Sequence, residues 1–176
     1  MHQKIHETQP LPAVSIRPVE TEDFIALSKL YGYYAASTIF TYYDGHVTPQ
    51  YMQGLLTGFG HQSAVAVVDG EVVGYVHISP STIIRPRRGD IAIYLFPQYT
   101  KKGIGTQLLR YGEAMAYEKG ILTLGASVCT ENFASLMLFE RNGYKRTYVK
   151  TNAAYKLGRH LHTQYFDKKL NPEEFA

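Results

Sequence analysis

The chain has 176 residues, of which 45% are apolar and 19% charged, and its formal net charge is +3. Such a length suits one domain with a real hydrophobic core, which excludes a disordered polyelectrolyte. A charge this mild suits an anionic small ligand and gives no reason to expect a nucleic-acid partner.

Residues 1–13 are polar and proline-punctuated, and read as a loose lead-in to a single domain over 14–170, with 171–176 as a tail. Val14 to Arg17 alternates as a first strand and stops at Pro18. Thr21 or Asp23 can cap a helix whose apolar members, Phe24, Leu27, Leu30, Tyr31 and Tyr34, recur at helical spacing. Thr48-Pro49 opens a second, short helix, with proline at its first position. The aromatic stretch between these helices, around residues 35–47, reads either as a substrate-pocket wall or as a loop packed by its own tyrosines. Ser63–Val68 and Glu71–Ile78 form a hairpin on Asp69-Gly70, a dipeptide suited to a type I′ turn. A strand over Asp90–Phe96, a long helix over Ile104–Lys119 and a strand over Leu122–Val128 follow. After these come a helix over Asn132–Arg141 and two strands, Tyr144–Val149 and His162–Asp167, with TNAAYKLGRH as their connection. Alternating strands and helices of this kind predict a mixed sheet covered on both faces.

One stretch carries chemistry. Gly89–Gly105, GDIAIYLFPQYTKKGIG, runs from a strand through a glycine-spaced turn into a helix N-terminus. Free backbone N–H groups and the helix dipole make such a junction an anion cradle. Gly103 and Gly105 admit close backbone approach, and Lys101 and Lys102 add cations. The junction therefore predicts a diphosphate-bearing ligand at residues 101–106. Neither GxGxxG nor GxxxxGK[ST] is present, so it is neither a dinucleotide fingerprint nor a P-loop.

Thr100-Lys101-Lys102-Gly103-Ile104-Gly105 resembles the acyl-CoA loop of the GNAT acetyltransferase superfamily, Arg/Gln-x-x-Gly-x-Gly/Ala, with Thr100 in place of Arg or Gln. Glu131-Asn132-Phe133-Ala134-Ser135 through Gly143-Tyr144 resembles the ENxxSxxLxExxGF segment of the phosphinothricin/methionine sulfoximine N-acetyltransferase branch. Ala154-Tyr155-Lys156-Leu157-Gly158-Arg159 matches part of its GYKxGRWLD segment. The resemblance implies an α/β (α+β) GNAT-like fold, with a mostly antiparallel sheet of about seven strands and helices on both faces. It implies acetyl-CoA as co-substrate, a small-molecule primary amine (an amino acid or analogue) as acceptor, and a homodimer. Contacts to CoA are implied for Leu95, Phe96, Thr100, Lys101, Lys102, Gly103, Ile104, Gly105, Thr106, Asn132 and Ser135.

Acetyl transfer to an amine needs a base, since alkylammonium groups have a pKa near 10.4. Asp90 stands where the branch has a glutamate, and reads either as that base or as turn chemistry after Gly89. Leu95 is the implied oxyanion donor through its N–H. Phe139 occupies the place of the usual tyrosine or histidine acid, so Tyr94, Tyr144 or another tyrosine must substitute, or the thiolate must leave unassisted. Phe40, Arg85, Arg87 and Tyr155 are candidate acceptor contacts; for the arginines a solvated loop is the plainer reading. Asn132 can serve as a helix cap instead of a CoA contact. The scattered histidines show no metal-ligand spacing, so no metal is expected.

The lone Cys129 excludes an intrachain disulfide and points to a reducing, cytoplasmic setting, and reads as a buried apolar residue. No apolar run reaches the ~20 residues of a membrane span, and the first ten residues lack a signal-peptide core; neither a leader nor membrane association is expected. Two other classes compete with an acetyltransferase. A CoA-binding sensor of the same fold would accommodate Phe139 and Thr100. A nucleic-acid module would use Lys101, Lys102 and Arg85–Arg88, but no readout motif accompanies them.

Overall fold

The computed structural model describes residues 13–81 and 87–175. Its strands are β1 Val14–Pro18, β2 Gln62–Val68, β3 Glu71–Pro80, β4 Arg88–Leu95, β5 Thr123–Cys129, β6 Lys145–Lys156 and β7 Arg159–Lys169. Its helices are α1 Asp23–Ser37, α2 Pro49–Leu56, α3 Ile104–Glu118 and α4 Phe133–Arg141. The strands form one seven-stranded sheet in the order β1-β2-β3-β4-β5-β7-β6, antiparallel except between β4 and β5. This is the mixed, mostly antiparallel architecture expected. The lead-in lies, except for Ala13, outside the described residues, as does Arg85.

Strand alternation sends successive side chains to opposite faces. Ala64, Ala66, Val76, Ile78 and Ile91 pack under α3 and α4, with Leu108, Leu109 and Leu136. Val65, Tyr75 and Tyr94 face the other way, under α1 and α2, with Leu27, Leu30, Met52 and Leu56. Both faces of the β2–β4 half are thus apolar. Gly112 lets α3 sit close, since a Cβ there would lie 2.6 Å from Val76.

Local signals hold in most places. Asp69 and Gly70 both have positive φ, +51° and +82°, as a type I′ turn requires. Thr48 Oγ1 accepts the Tyr51 N–H at 3.0 Å, with Pro49 next in the helix. Gly120, at φ +81°, closes the end of α3. At α1 the cap differs: Glu22 holds the cap position without a side-chain bond, and the Asp23 carboxylate accepts from Arg17 at 2.7 and 2.8 Å. Arg17 outcompetes the helix for that carboxylate and ties α1 to β1.

The larger correction is at β6 and β7. The expected connection TNAAYKLGRH is strand on both sides of a two-residue turn, Leu157-Gly158, at φ +50° and +79°. Register slips between Arg146 and Val149, and between Lys150 and Ala154, insert extra residues into β6. Such bulges destroy the period-two pattern by which a strand is recognised.

The single parallel pairing is short. Arg88, Gly89 and Asp90 pair with Thr123, Leu124 and Gly125, and no further. Beyond that point β4 pairs only with β3, and β5 only with β7. A wedge therefore opens in the middle of the sheet, between Ile91–Leu95 and Ala126–Cys129.

Candidate functional site

The wedge exposes backbone that a sheet would otherwise satisfy. Phe96 N–H donates to Val73 O at 2.9 Å, next to the Gly74–Leu95 pair. Antiparallel alternation then turns the Leu95 N–H and C=O away from β3, into the wedge. Tyr34 OH donates to Leu95 O at 2.7 Å. Gly74 makes this register possible, because a Cβ there would lie 2.6 Å from Tyr94 O. The N–H of Phe96 is engaged with Val73 O, and its carbonyl accepts from Tyr99 N–H at 2.9 Å, so its side chain is what remains for a ligand.

The turn after β4 begins with a short 3-10 segment, Pro97–Tyr99. Thr100 donates its N–H and its hydroxyl to Pro97 O, at 3.2 and 2.8 Å. Lys101 and Gly103 then take positive φ, +60° and +78°, and Gly103 caps α3 with no side-chain bond. A Cβ on Gly103 would meet nothing within 4 Å, so the space before α3 is open. On Gly105 it would lie 3.6 Å from Leu95 and 3.4 Å from Leu138. That contact seats the first turn of α3, with Ile104 buried and Thr106 half-buried, against the end of the wedge. Lys101 and Lys102 are exposed at its rim, with Lys102 Nζ 5.4 Å from the Tyr99 ring centre. The first-turn N–H groups and these two cations form one positive mouth.

On the far side of the wedge, Asn132 Oδ1 accepts from Ser135 N–H at 3.2 Å, the capping geometry. Its amide N–H2 retains two donors. Cys129 is buried. Phe139 is buried against Tyr144 and Phe166, with ring centres 5.0 and 5.9 Å apart. The Tyr144 hydroxyl is buried without a sound hydrogen bond, under Lys168 and beside Glu113, with its pKa raised by burial and by that carboxylate. It faces α3, not the Leu95 end of the wedge.

Asp90 is the last paired residue before the strands part. Its carboxylate overlies Gly125, where any Cβ would collide with Asp90 Oδ1 and lie 2.5 Å from Arg88 Nη2. Arg88 in turn grips Asp167 with both nitrogens, at 3.0 and 2.5 Å. Asp90 is exposed, yet its pKa lies above the ordinary aspartate range. Withdrawal of its surroundings from water is the main cause, Asp167 adds to it, and Arg88 opposes it. Tyr94 shares this face but is packed between Tyr31, Tyr34 and Tyr75, and burial raises its pKa. Beside Asp90, Tyr165 stacks on Tyr148 with ring centres 4.4 Å apart. Burial, Tyr148 and the charge of Asp90 all raise the pKa of Tyr165. Tyr42, from the loop between α1 and α2, shares a hydrogen bond with Thr163 of β7. Tyr165 thus links Asp90 on one side to Tyr42, which lies over the buried Thr163, on the other, an acidic and aromatic patch of the α1–α2 face.

The four candidate acceptor contacts do not converge there. Phe40 lines a separate hollow of about 410 Å³ with Ile39, Glu131 and Leu157. Arg87 donates Nε–H to Gly120 O at 3.1 Å, beside a cavity of about 1130 Å³ at the C-terminal end of α3. Tyr155 is exposed, edge-on to His160. Arg85 lies outside the described residues. Among the described residues, no three His, Cys, Asp or Glu side chains gather to hold a metal.

Tyr34, Tyr42, Thr163 and Tyr165 were not singled out from sequence, because only pairing across distant strands brings them to the site. Gly125 could have been, since a glycine inside a strand often marks close approach of another group.

A family model described as the acetyltransferase (GNAT) family matches residues 27–144. Spermidine N(1)-acetyltransferase from Thermoplasma acidophilum is 31% identical over 80 residues. That match spans 46% of this chain and 48% of that protein, so about half the length of the curated relative. Two solved structures share the fold at 22% identity, each with a TM-score of 0.83. One is yncA from Salmonella typhimurium with its cofactor acetyl-CoA, the match covering 91% of this chain and 95% of that one. The other is a GNAT superfamily phosphinothricin acetyltransferase from Sinorhizobium meliloti in complex with acetyl-CoA, covering 90% and 89%.

Proposed function

Because this chain belongs to the GNAT acetyltransferase family, matched over residues 27–144, we propose that it is an acetyl-CoA-dependent N-acetyltransferase acting on a small primary amine. The observation that carries this reading is the wedge: Leu95, whose N–H is turned away from β3, packs its side chain against Gly105 in the first turn of α3, a turn that no side chain caps. In this reading the N–H groups of Gly103, Ile104, Gly105 and Thr106 hold the diphosphate, with Lys101 and Lys102 at its rim. The pantetheine arm lies along the open edge of β4, with Asn132 and Ser135 opposite. Leu95 N–H donates to the carbonyl oxygen as it gains negative charge. The amine nitrogen adds to the thioester carbon, the C–S bond then breaks to release the thiolate, and the second nitrogen proton passes to solvent water.

Asp90 is the proposed general base. Five residues of extended strand separate it from Leu95, on the order of 16 Å between Cα atoms. Its carboxylate therefore takes the ammonium proton through ordered water over the acidic, aromatic patch, the proposed acceptor site, not by direct contact. Phe139 has no proton to give, and the Tyr34 hydroxyl at the wedge already donates its proton to Leu95 O. Tyr94 is packed among other tyrosines and Tyr144 faces Glu113, so the thiolate leaves without an acid; a thiol near pKa 8.5 makes a tolerable leaving group.

Charge discriminates among acceptors. Among the described residues, Arg88 is committed to Asp167 and Arg87 to the α3 end, which leaves Asp90 and the tyrosine rings to meet the substrate. Such a surface favours a cationic amine with no carboxylate beside it, such as a polyamine. The likeness to the phosphinothricin branch supports an amino-acid analogue instead. Thiol release with spermidine, methionine sulfone and phosphinothricin compares the two directly, and release with spermidine alone is expected. A CoA-binding protein without turnover is the second reading, favoured by Phe139; it predicts acetyl-CoA binding and no amine-dependent thiol release. We further propose one domain over 14–170, a cytoplasmic setting, and a homodimer formed through β6. The exposed Tyr148, Val149 and Tyr155 of that edge strand support the dimer.

A further inference from the structure

Lys156 is the last residue of β6, and its side chain is 4% exposed. Among the described residues it has no carboxylate partner within salt-bridge distance. Its ammonium donates to three backbone carbonyls: Thr41 O and Tyr43 O, each at 2.9 Å, and Tyr34 O at 3.4 Å. Three N–H donors meet three acceptors. Two of the acceptors belong to the loop between α1 and α2, and the third lies in the last turn of α1, where a cation complements the helix dipole.

We propose that Lys156 is a positioning residue for acceptor specificity, clamping the 38–48 loop to the tip of the β6–β7 hairpin so that Tyr42 is held over Thr163. The proposal rests on the reading of the patch around Asp90, Tyr165 and Tyr42 as the acceptor site. The loop is fixed on either side of Tyr42. Thr41 is held by Lys156 and by a 2.7 Å bond with Tyr31 OH. Tyr43 is held by Lys156 and by stacking on Tyr51 at 4.6 Å. Tyr42, between them, is left one direction, toward β7. The placement of Tyr42 over Thr163 thus depends on an ammonium in the hairpin tip. Burial lowers the pKa of Lys156, with Asp44 opposing, as befits an ammonium held by carbonyls alone.

Lys156→Met removes the donors and keeps the side-chain length. Loss of hydrogen bonds from a charged donor predicts exchange of the residue 38–47 amides at least about tenfold faster, with α3 amides unchanged. The acetyl-CoA dissociation constant, by calorimetry, is expected within about twofold of wild type, while the KM for spermidine rises about tenfold and kcat changes less. Unchanged loop exchange would overturn the clamp. Loop exchange and acetyl-CoA affinity failing together would overturn a specific role, leaving a general structural one. Should Lys156→Met not fold, Lys156→Arg decides by the same exchange measurement, since a planar fork does not fit three converging carbonyls. Wild-type protein that binds acetyl-CoA but does not acetylate spermidine would count against the acceptor reading, and loop exchange would still decide the clamp.

Discussion

Gly125 sets where Asp90 can be. A single methyl there collides with the Asp90 carboxylate and crowds Arg88. Gly125→Ala is therefore expected to lower turnover several-fold while acetyl-CoA affinity holds; equal turnover would show that the position of Asp90 does not matter. Asp90, with its raised pKa, acts as a base only once it is ionised. The rate should thus climb with pH through that pKa, and Asp90→Asn should abolish this acid limb in a pH–rate profile. A limb that survives removes Asp90 as the base. At this scale the sequence was readable where backbone geometry demands a residue type, as at Gly103 and Gly105. It was not readable for Lys156, because a buried lysine looks like any surface lysine until three carbonyls from distant elements surround it.

At the scale of elements, two features make predictions. In the β6–β7 turn, Leu157 sits at φ +50° and is exposed beside Phe40. A left-handed leucine costs on the order of 1 kcal/mol, and Asn-Gly is the preferred pair for this turn. Leu157→Asn should raise stability by about 1 kcal/mol in denaturant titration, and a loss of stability would refute the strain. On β3, the ring of His77 is buried and joins β2 and α2. Ser63 Oγ donates to Leu56 O at 3.0 Å, so it accepts from His77 Nδ1 at 2.9 Å, and His77 Nε2 accepts from His61 Nδ1 at 3.1 Å. Burial, then His61, depress the pKa of His77 from 6.5 to about 4. Between those values the unfolded chain binds a proton that the folded chain does not. Stability should therefore fall as pH drops from 6.5 toward 4, by up to ~3 kcal/mol, and His77→Asn should flatten this slope. Helix and hairpin signals were legible wherever local chemistry decided them, as at Thr48-Pro49 and Asp69-Gly70. The β6–β7 tip was not, because bulges broke the alternation, and the wedge was not, because where two strands part depends on pairing and not on either sequence.

The described structure is a sheet split at its one parallel pair, with a cationic turn at one end of the split and the acidic, aromatic patch of Asp90, Tyr165 and Tyr42 on its α1–α2 face. That polarity suits an anionic acyl carrier entering from one side and a cationic amine from the other. Among the described residues no helix is long and apolar enough to cross a membrane. The exposed β6 edge predicts a dimer, which sedimentation equilibrium would detect, and Tyr148→Lys with Val149→Lys should shift it to monomer; a wild-type monomer would refute the β6 interface. The central claim is that the split sheet and its glycine turn bind acetyl-CoA. Calorimetric titration of the wild-type protein and Gly103→Asp with acetyl-CoA, with ATP as control, tests it most directly. The wild type should bind acetyl-CoA and not ATP, and Gly103→Asp, whose carboxylate would fill the open space before α3, should bind neither. No binding by the wild type, or equal binding by the variant, would contradict it.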